Sequence, residues 1–236
     1  MSPADFEVID SQETPIGLLY LRRRPLTDGS GDVVTEVMID GGLLMSSEDN
    51  ESERALATSA IALRGGDDSL RVLVGGLGLG YTAYEALLDP RVAELTVMDP
   101  YTTVAKWLHD GHLPLSDSLC SDDRLTIVEA DVYATLLAKP QTDPWDIILI
   151  DVDHAPRKRL ANSSAPFYAE AGQRAALRHL APGGVLGVWS ADPDETFSEV
   201  MDDVYAYAET ERVSWTCADL GEMEHTLFFG RREGSR

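Results

Sequence analysis

Arg71-Val-Leu-Val-Gly-Gly-Leu-Gly-Leu-Gly-Tyr-Thr82 joins a short apolar run, Val72 to Val74, to a loop carrying Gly75, Gly76, Gly78 and Gly80, and a helical pattern from Ala83 to Leu88 follows. An apolar run of that length ahead of glycines reads as a buried parallel strand. The glycines let the backbone turn tightly and approach a ligand with no Cβ in the way, and the helix start behind them presents unpaired N–H groups. Leu95-Thr-Val-Met-Asp99, about twenty residues downstream, ends in a carboxylate placed to accept hydrogen bonds from a ribose. Gly76, Gly78, Gly80 and Asp99 are therefore expected to hold a nucleoside cofactor.

Outward from this loop the chain alternates. Strands are expected near residues 71–75, 94–99, 125–129, 145–151 and 183–190, and helices near 81–89, 101–109, 132–138 and 166–180. That order is the signature of a parallel sheet with helices on both faces. A helical segment from Glu195 to Ala208 leads to two β runs, Val213–Cys217 and His225–Phe229, too close together for another crossover and so read as an antiparallel hairpin. Ahead of the loop, Phe6–Ile9, Gly17–Leu21 and Val33–Ile39 are β-rich runs separated by Thr14-Pro15 and Asp28-Gly-Ser-Gly-Asp32. Ser46-Ser-Glu-Asp49 offers caps and first-turn acids for a helix to about Leu63. The division expected is an N-terminal β unit (1–47), a linking helix (48–66) and a Rossmann-like domain (67–236).

Bulk properties narrow the function. The 236 residues carry 41 Asp plus Glu against 19 Lys plus Arg, a net charge of −22. Such a surface repels phosphate backbones, which argues against a nucleic-acid partner, and it attracts cations such as polyamines. A salty cytoplasm would favour the same surface. The acidic N-terminus is unlike a secretory signal, no apolar stretch is long and unbroken enough to span a membrane, and two cysteines make no disulfide framework; a cytoplasmic location is expected. Arg22-Arg-Arg24 is a lone basic patch, read as a solvated strand end or a contact for a cofactor carboxylate. The histidines lack partners at ligand spacing, so no metal is expected.

Which cofactor follows from later residues. Gly78-x-Gly80-x-x-Ala83 also fits a dinucleotide fingerprint, which keeps a nicotinamide enzyme in view. Asp131, closing the third strand, stands where an acid reaches an adenine amino group. Asp146-Ile-Ile-Leu-Ile-Asp-Val-Asp153 carries acids to the carboxyl edge of the fourth strand, where open α/β sheets bind ligands. One adenosyl group beside a reaction at strand four fits S-adenosylmethionine chemistry better than hydride transfer.

At these residues the chain resembles a family. Gly75-Gly-Leu-Gly-Leu-Gly80, Asp146 to Pro156, Phe167-Tyr168 and Leu180-Ala-Pro-Gly-Gly-Val185 look like the spermidine and spermine synthases, the aminopropyltransferase branch of the class I methyltransferase superfamily. Thr14-Pro-Ile-Gly17, Leu44-Met-Ser-Ser47, Trp107, His109, Ile150-Asp-Val-Asp-His154 and Val188-Trp-Ser190 are similar to a bacterial spermidine-synthase-like group of undefined substrate. The resemblance implies a mostly parallel seven-stranded sheet with a C-terminal hairpin, S-adenosylmethionine or its decarboxylated form as cofactor, a small amine acceptor such as a polyamine, and a homodimer. It aligns Asp151 with the catalytic base and shifts the second acid to Asp153; His154 and Tyr168 become candidates for the acceptor pocket.

Two departures stand out. The family's Gly-Gly-Gly-Asp-Gly loop uses its aspartate to hold the cofactor ammonium, and the matching position here is Gly78. No Tyr, His or Gln occurs from residue 21 through 80, where the family has a Tyr-His-Glu type run. Glu48, Asp49 or Asp153 could supply the missing acid. Asp151 could instead cap the next segment, Tyr168 and Trp189 could pack in the core, Trp107 and His109 could lie over the cofactor edge or in the core, and the whole chain could be a catalytically silent nucleoside-binding module.

Overall fold

Alternating β-branched and leucine residues from residue 70 to 231 build one sheet around the strand that enters the glycine loop. The computed structural model describes residues 6–26, 30–66, 69–141, 143–217 and 221–234. Asp28 and Gly29 of the expected N-terminal turn and Asp67 at the expected domain start lie outside these. Four strands, β1 (Glu7–Thr14), β2 (Gly17–Pro25), β3 (Val33–Ile39) and β4 (Gly42–Ser46), form an antiparallel meander, and helix α1 (Glu51–Arg64) links it to the rest.

The second sheet contains β5 (Leu70–Gly75), β6 (Val92–Asp99), β7 (Leu125–Glu129), β8 (Trp145–Ile150), β9 (Leu180–Ser190), β10 (Tyr207–Cys217) and β11 (Gly221–Arg231), in the order β10-β11-β9-β8-β5-β6-β7. The first five run parallel, and β11 and β10 close the edge antiparallel. The expected Rossmann-like architecture is therefore the one found. From β5 the chain winds outward through β6 and β7, then crosses back to β8, so the strand order reverses between β5 and β8. The crevice over that reversal is where an open sheet of this kind takes its ligand.

Helices α2 (Tyr81–Leu87), α3 (Thr102–His109), α4 (Ser116–Cys120), α5 (Val132–Leu137), α6 (Glu170–Ala176) and α7 (Glu195–Val204) cover the faces. Several boundaries differ from those expected. The segment near 166–180 is not one helix but a 3-10 stretch (Asn162–Tyr168), α6, and a further 3-10 turn (Leu177–His179). Pro166 breaks the first part, and Gly172 packs so tightly that a Cβ there would run into the Pro166 carbonyl. Helix α1 starts after Asn50, with no side-chain cap from Ser46–Asp49. The hairpin strands are longer than their apolar cores because β10 is a polar edge strand, Tyr-Ala-Glu-Thr-Glu-Arg, whose pattern does not advertise burial.

The two sheets share one hydrophobic core, in which Leu19, Leu21 and Val37 of the meander pack with Leu77, Leu79, Tyr81 and Trp107. Trp107 is fully buried and its indole donates to Asp10 Oδ2 at 2.9 Å; Thr103 donates to Gln12 at 2.9 Å. Trp107 thus belongs to the seam between the sheets, the core alternative of the two left open. The arginine patch is structural as well. Arg22 and Arg24 clamp Glu36, only 2% exposed, at 2.6 and 2.8 Å, and Arg23 donates to the His112 carbonyl, so the contact to a cofactor carboxylate is not supported. No described helix is long and apolar enough to cross a membrane.

Candidate active site

Loop and strand ends meet above the β5–β8 reversal. The Asp151 N–H donates to the Gly75 carbonyl and the Gly76 N–H to that of Met98, so the glycine loop is stitched to both neighbouring strand ends. Gly76 has φ +89°, and a Cβ on it would collide with the Asp151 carbonyl. Only glycine lets the loop lie flat on the β8 end. Gly80, at φ +91°, opens α2 with Leu119 packed where its Cβ would be.

Beside this loop is a cavity of about 280 Å³ whose lining includes Leu43, Leu44 and Met45 from β4, Asp49 just before α1 and Glu53 in its first turn, Gly78 to Tyr81, Asp151 to His154, Trp189 of β9, and Met223 and His225 of β11. Among the described residues that line it, four are carboxylic acids (Asp49, Glu53, Asp151, Asp153) and none is Lys or Arg. Such a lining favours a cation.

The acids differ in what they are free to do. Asp151 accepts from Thr82 Oγ1 at 2.7 Å, and burial pushes its carboxyl up to about 6 against that bond. Glu53, two residues into α1, is pushed up to about 8, first by burial and then by the Asp151 charge; Ser52 opposes the shift. Burial raises both carboxyls, and the Asp151 charge adds to the rise at Glu53, which a cation entering the cavity would oppose. Asp49 accepts from Trp215 Nε1 at 3.0 Å, and Glu48 is tied to Arg24 and Cys217.

Asp153 corrects an expectation. It is 2% exposed, its Oδ2 takes the hydroxyls of Tyr133 (2.9 Å) and Tyr168 (3.0 Å), and its Oδ1 takes the Leu160 N–H at 2.6 Å. A carboxylate so committed anchors the loop after β8 and is poorly suited to carry protons as a second catalytic acid. Tyr168 is corrected with it. Its ring packs against Phe167, Phe197 and Tyr133 and its hydroxyl serves Asp153, so it belongs to the core behind the cavity and not to the lining. His154 does face the cavity, its carbonyl pinned by the Ala191 N–H at 2.7 Å.

Asp99 and Asp131 sit apart from the cavity, farther along the same sheet edge. Asp99 uses one oxygen on the Leu77 N–H (3.0 Å) and the other on Tyr101 N–H (2.8 Å); burial raises its pKa against both bonds. Asp131 caps α5, its Oδ1 accepting from Tyr133 and Ala134 N–H, and among the described residues nothing bonds its Oδ2. Burial, and then the charges of both Asp99 and Asp131, raise the pKa of the Tyr101 hydroxyl. The expected residues therefore form two groups: Gly78, Gly80, Asp151 and His154 line the cavity, and Gly76, Asp99 and Asp131 lie outside it at the ends of β5, β6 and β7. No described cluster of three His, Cys, Asp or Glu could hold a metal ion.

Sequence reasoning missed Glu53, Ser52 and His225. The one available signal was periodic: Ser52 falls on the buried stripe of α1 with Leu56, Ala57, Ala60 and Ile61, a polar residue where the pattern asks for an apolar one.

Two solved structures share this fold: a spermidine synthase in complex with the transition-state analogue AdoDATO, at a TM-score of 0.76, and the spermidine synthase from Thermotoga maritima, at 0.73. Each is 18% identical in sequence, with 97% of this chain aligned to 74% of the other. No protein-family model matches the chain. At that identity the likeness is one of fold, and it agrees with the spermidine-synthase-like architecture read from the sequence.

Proposed function

We propose that this chain is a transferase that binds decarboxylated S-adenosylmethionine and moves its aminopropyl group to a small amine. The observation that carries the reading is the cavity's charge: four carboxylic acids and no Lys or Arg among the described residues of its lining. A sulfonium, a cofactor ammonium and an acceptor amine are all cations and suit such a lining. The carboxylate of intact S-adenosylmethionine would enter it with no cation to meet, a costly burial. The bare Gly78 is compensated in this reading by Glu53, which reaches the cavity from α1 instead of from the loop.

The bound sulfonium supplies an electrophilic carbon. On the nucleoside side, Gly76 allows the backbone approach, while Asp99 and Asp131 take ribose and adenine donors with their remaining acceptor positions. On the cavity side Asp151 orients the acceptor amine and removes its proton; the amine lone pair forms the new C–N bond, and the C–S electron pair leaves on sulfur as neutral methylthioadenosine. Most of the rate comes from holding nucleophile and carbon in line, with proton removal adding roughly 10²–10⁴-fold.

Calorimetric titration with decarboxylated S-adenosylmethionine, intact S-adenosylmethionine, methylthioadenosine and NAD tests the reading, followed by assay of methylthioadenosine release with a diamine panel. The decarboxylated form should bind at least about tenfold tighter than the intact one, or about 1.4 kcal/mol. Equal or tighter binding of intact S-adenosylmethionine would overturn aminopropyl transfer in favour of methyl transfer. Binding without turnover on any amine would leave a nucleoside-binding module.

A further inference from the structure

Ser52 is fully buried, and its hydroxyl has three polar neighbours: Trp189 Nε1 at 2.8 Å, Glu53 Oε2 at 2.9 Å and His225 Nδ1 at 2.8 Å. A hydroxyl offers one proton and two lone pairs, and an indole N–H can only donate. Trp189 therefore takes one lone pair, and the proton and the other lone pair must be divided between Glu53 and His225. Two arrangements that satisfy all partners differ by a single proton shift. Either Ser52 donates to an ionised Glu53 and accepts from His225 Nδ1–H, or a protonated Glu53 donates to Ser52, which donates to a bare Nδ1. Passing between them moves one proton across the hydroxyl without moving a heavy atom.

We propose that Glu53, Ser52 and His225 form a proton relay that carries the proton released by the acceptor amine away from Asp151; this rests on the transferase reading above. The balance closes. The acceptor ammonium gives one proton to Asp151 before its nitrogen attacks, and the adjacent carboxyl pair then carries one proton more than at rest. Glu53 passes a proton to Ser52 Oγ as Ser52 passes its own to His225 Nδ1, and His225 Nε2–H gives a proton to water, leaving Glu53 ionised and His225 neutral on Nδ1. Asp151 then hands its proton to Glu53, and His225 exchanges its Nδ1 proton with solvent for one on Nε2, which restores the resting state; the net product is one proton in solvent for each C–N bond made.

The surroundings suit a relay. Trp189 and Trp215 meet the His225 ring edge-on, each with centroids 4.7 Å away, and fix its plane. The charged groups facing His225 are Asp49 and Asp192, which favour its cation, and His154, which opposes it; burial outweighs them and lowers its pKa, so the ring sheds a proton readily. Glu53 faces Asp151 and Asp49, and its raised pKa keeps it protonated at rest.

Nitrogen-15 NMR of the histidine-labelled protein from about pH 6 to about pH 10 reads the relay directly. With Glu53 protonated, His225 Nδ1 should be bare and Nε2 protonated; as Glu53 ionises the tautomer should reverse. In Glu53→Gln the tautomer should no longer respond to pH over that range. A His225 tautomer that stays fixed in the parent protein overturns the relay. His225→Gln should lower kcat about 10–100-fold, leave the affinity for decarboxylated S-adenosylmethionine unchanged and be rescued by imidazole buffer; an unchanged kcat overturns it too. Failure of the parent protein to bind that cofactor would instead overturn the transferase reading, and would do so without fixing the tautomer.

Discussion

Replacing Glu53 by Gln should stabilise the ligand-free protein, and only above the ordinary carboxylate range. Glu53 would titrate at 4.5 in an unfolded chain and is held at about 8 in the fold. Between those values the folded state binds more protons than the unfolded one. The stability linked to Glu53 is thus complete below 4.5 and drains away as pH climbs toward about 8. At about 1.4 kcal/mol for each tenfold change, the ceiling is about 5 kcal/mol; partial contact with solvent brings it to roughly 2–5 kcal/mol. Gln keeps the shape of the protonated acid, and its amide N–H donates to Ser52 in place of the acid's proton, but it never ionises, and it relieves Asp151 of a like charge. For a chain of this length the gain corresponds to roughly 5–15 °C in melting temperature near pH 9, shrinking to nothing near pH 4. Thermal unfolding followed by circular dichroism across that range measures it. A difference that does not change with pH, or a variant less stable than its parent near pH 9, would refute the carboxyl pair and everything built on it.

Three further outcomes follow. Asp151→Asn should lower kcat about 10²–10⁴-fold while leaving the affinity for decarboxylated S-adenosylmethionine within about threefold; the measurements are methylthioadenosine release and calorimetry, and retained turnover would remove Asp151 as the base. Gly76→Ala places a Cβ against the Asp151 carbonyl at φ +89° and should cost about 2–4 kcal/mol of stability, read from urea unfolding, with cofactor binding lost. Asp153→Ala strands two tyrosine hydroxyls and the Leu160 N–H inside the protein and should cost about 3–5 kcal/mol; Asp153→Asn, which keeps an acceptor oxygen, should cost less than half of that, and equal losses would mean that the carboxylate itself is needed.

How much of this was legible from residues depended on whether a feature was local. The glycine loop, the strand after it and Asp99 announce themselves because a buried parallel strand is a continuous apolar run and a tight backbone approach admits only glycine. The closing hairpin was legible for a similar reason: two β runs stand too close for a crossover. Its full length was not, since β10 is a solvated edge whose first residues, Tyr207 and Ala208, read as the end of the helix expected from Glu195 to Ala208, whereas that helix stops at Val204. Side-chain pairing across long separations was beyond sequence. Asp153 and Tyr168 both looked available for chemistry because each sits near the strand-four loop. Their mutual hydrogen bond, with Tyr133 as third partner, exists only once α5 and the 3-10 stretch pack over β8. Ser52 and His225 lie 173 positions apart, and neither carries a motif.

The departures at Gly78 and on α1 then have one physical explanation under the proposed reading. An acid on the loop would contact a cofactor ammonium from one side; an acid on α1 contacts the same cavity from another and also borders Asp151 and Ser52. Moving the acid therefore couples cation binding to proton transfer, because the group that compensates the ammonium is also the one that receives and forwards the proton. The arrangement is costly while the cavity holds no cation, since burial opposes the charge of both carboxyls. It is relieved when a cation enters, so the energy withheld from folding becomes available as differential affinity for charged over neutral ligands. A neutral isostere of the acceptor would leave that energy unreleased, which ties selectivity for amines to the same pair of residues that moves the proton.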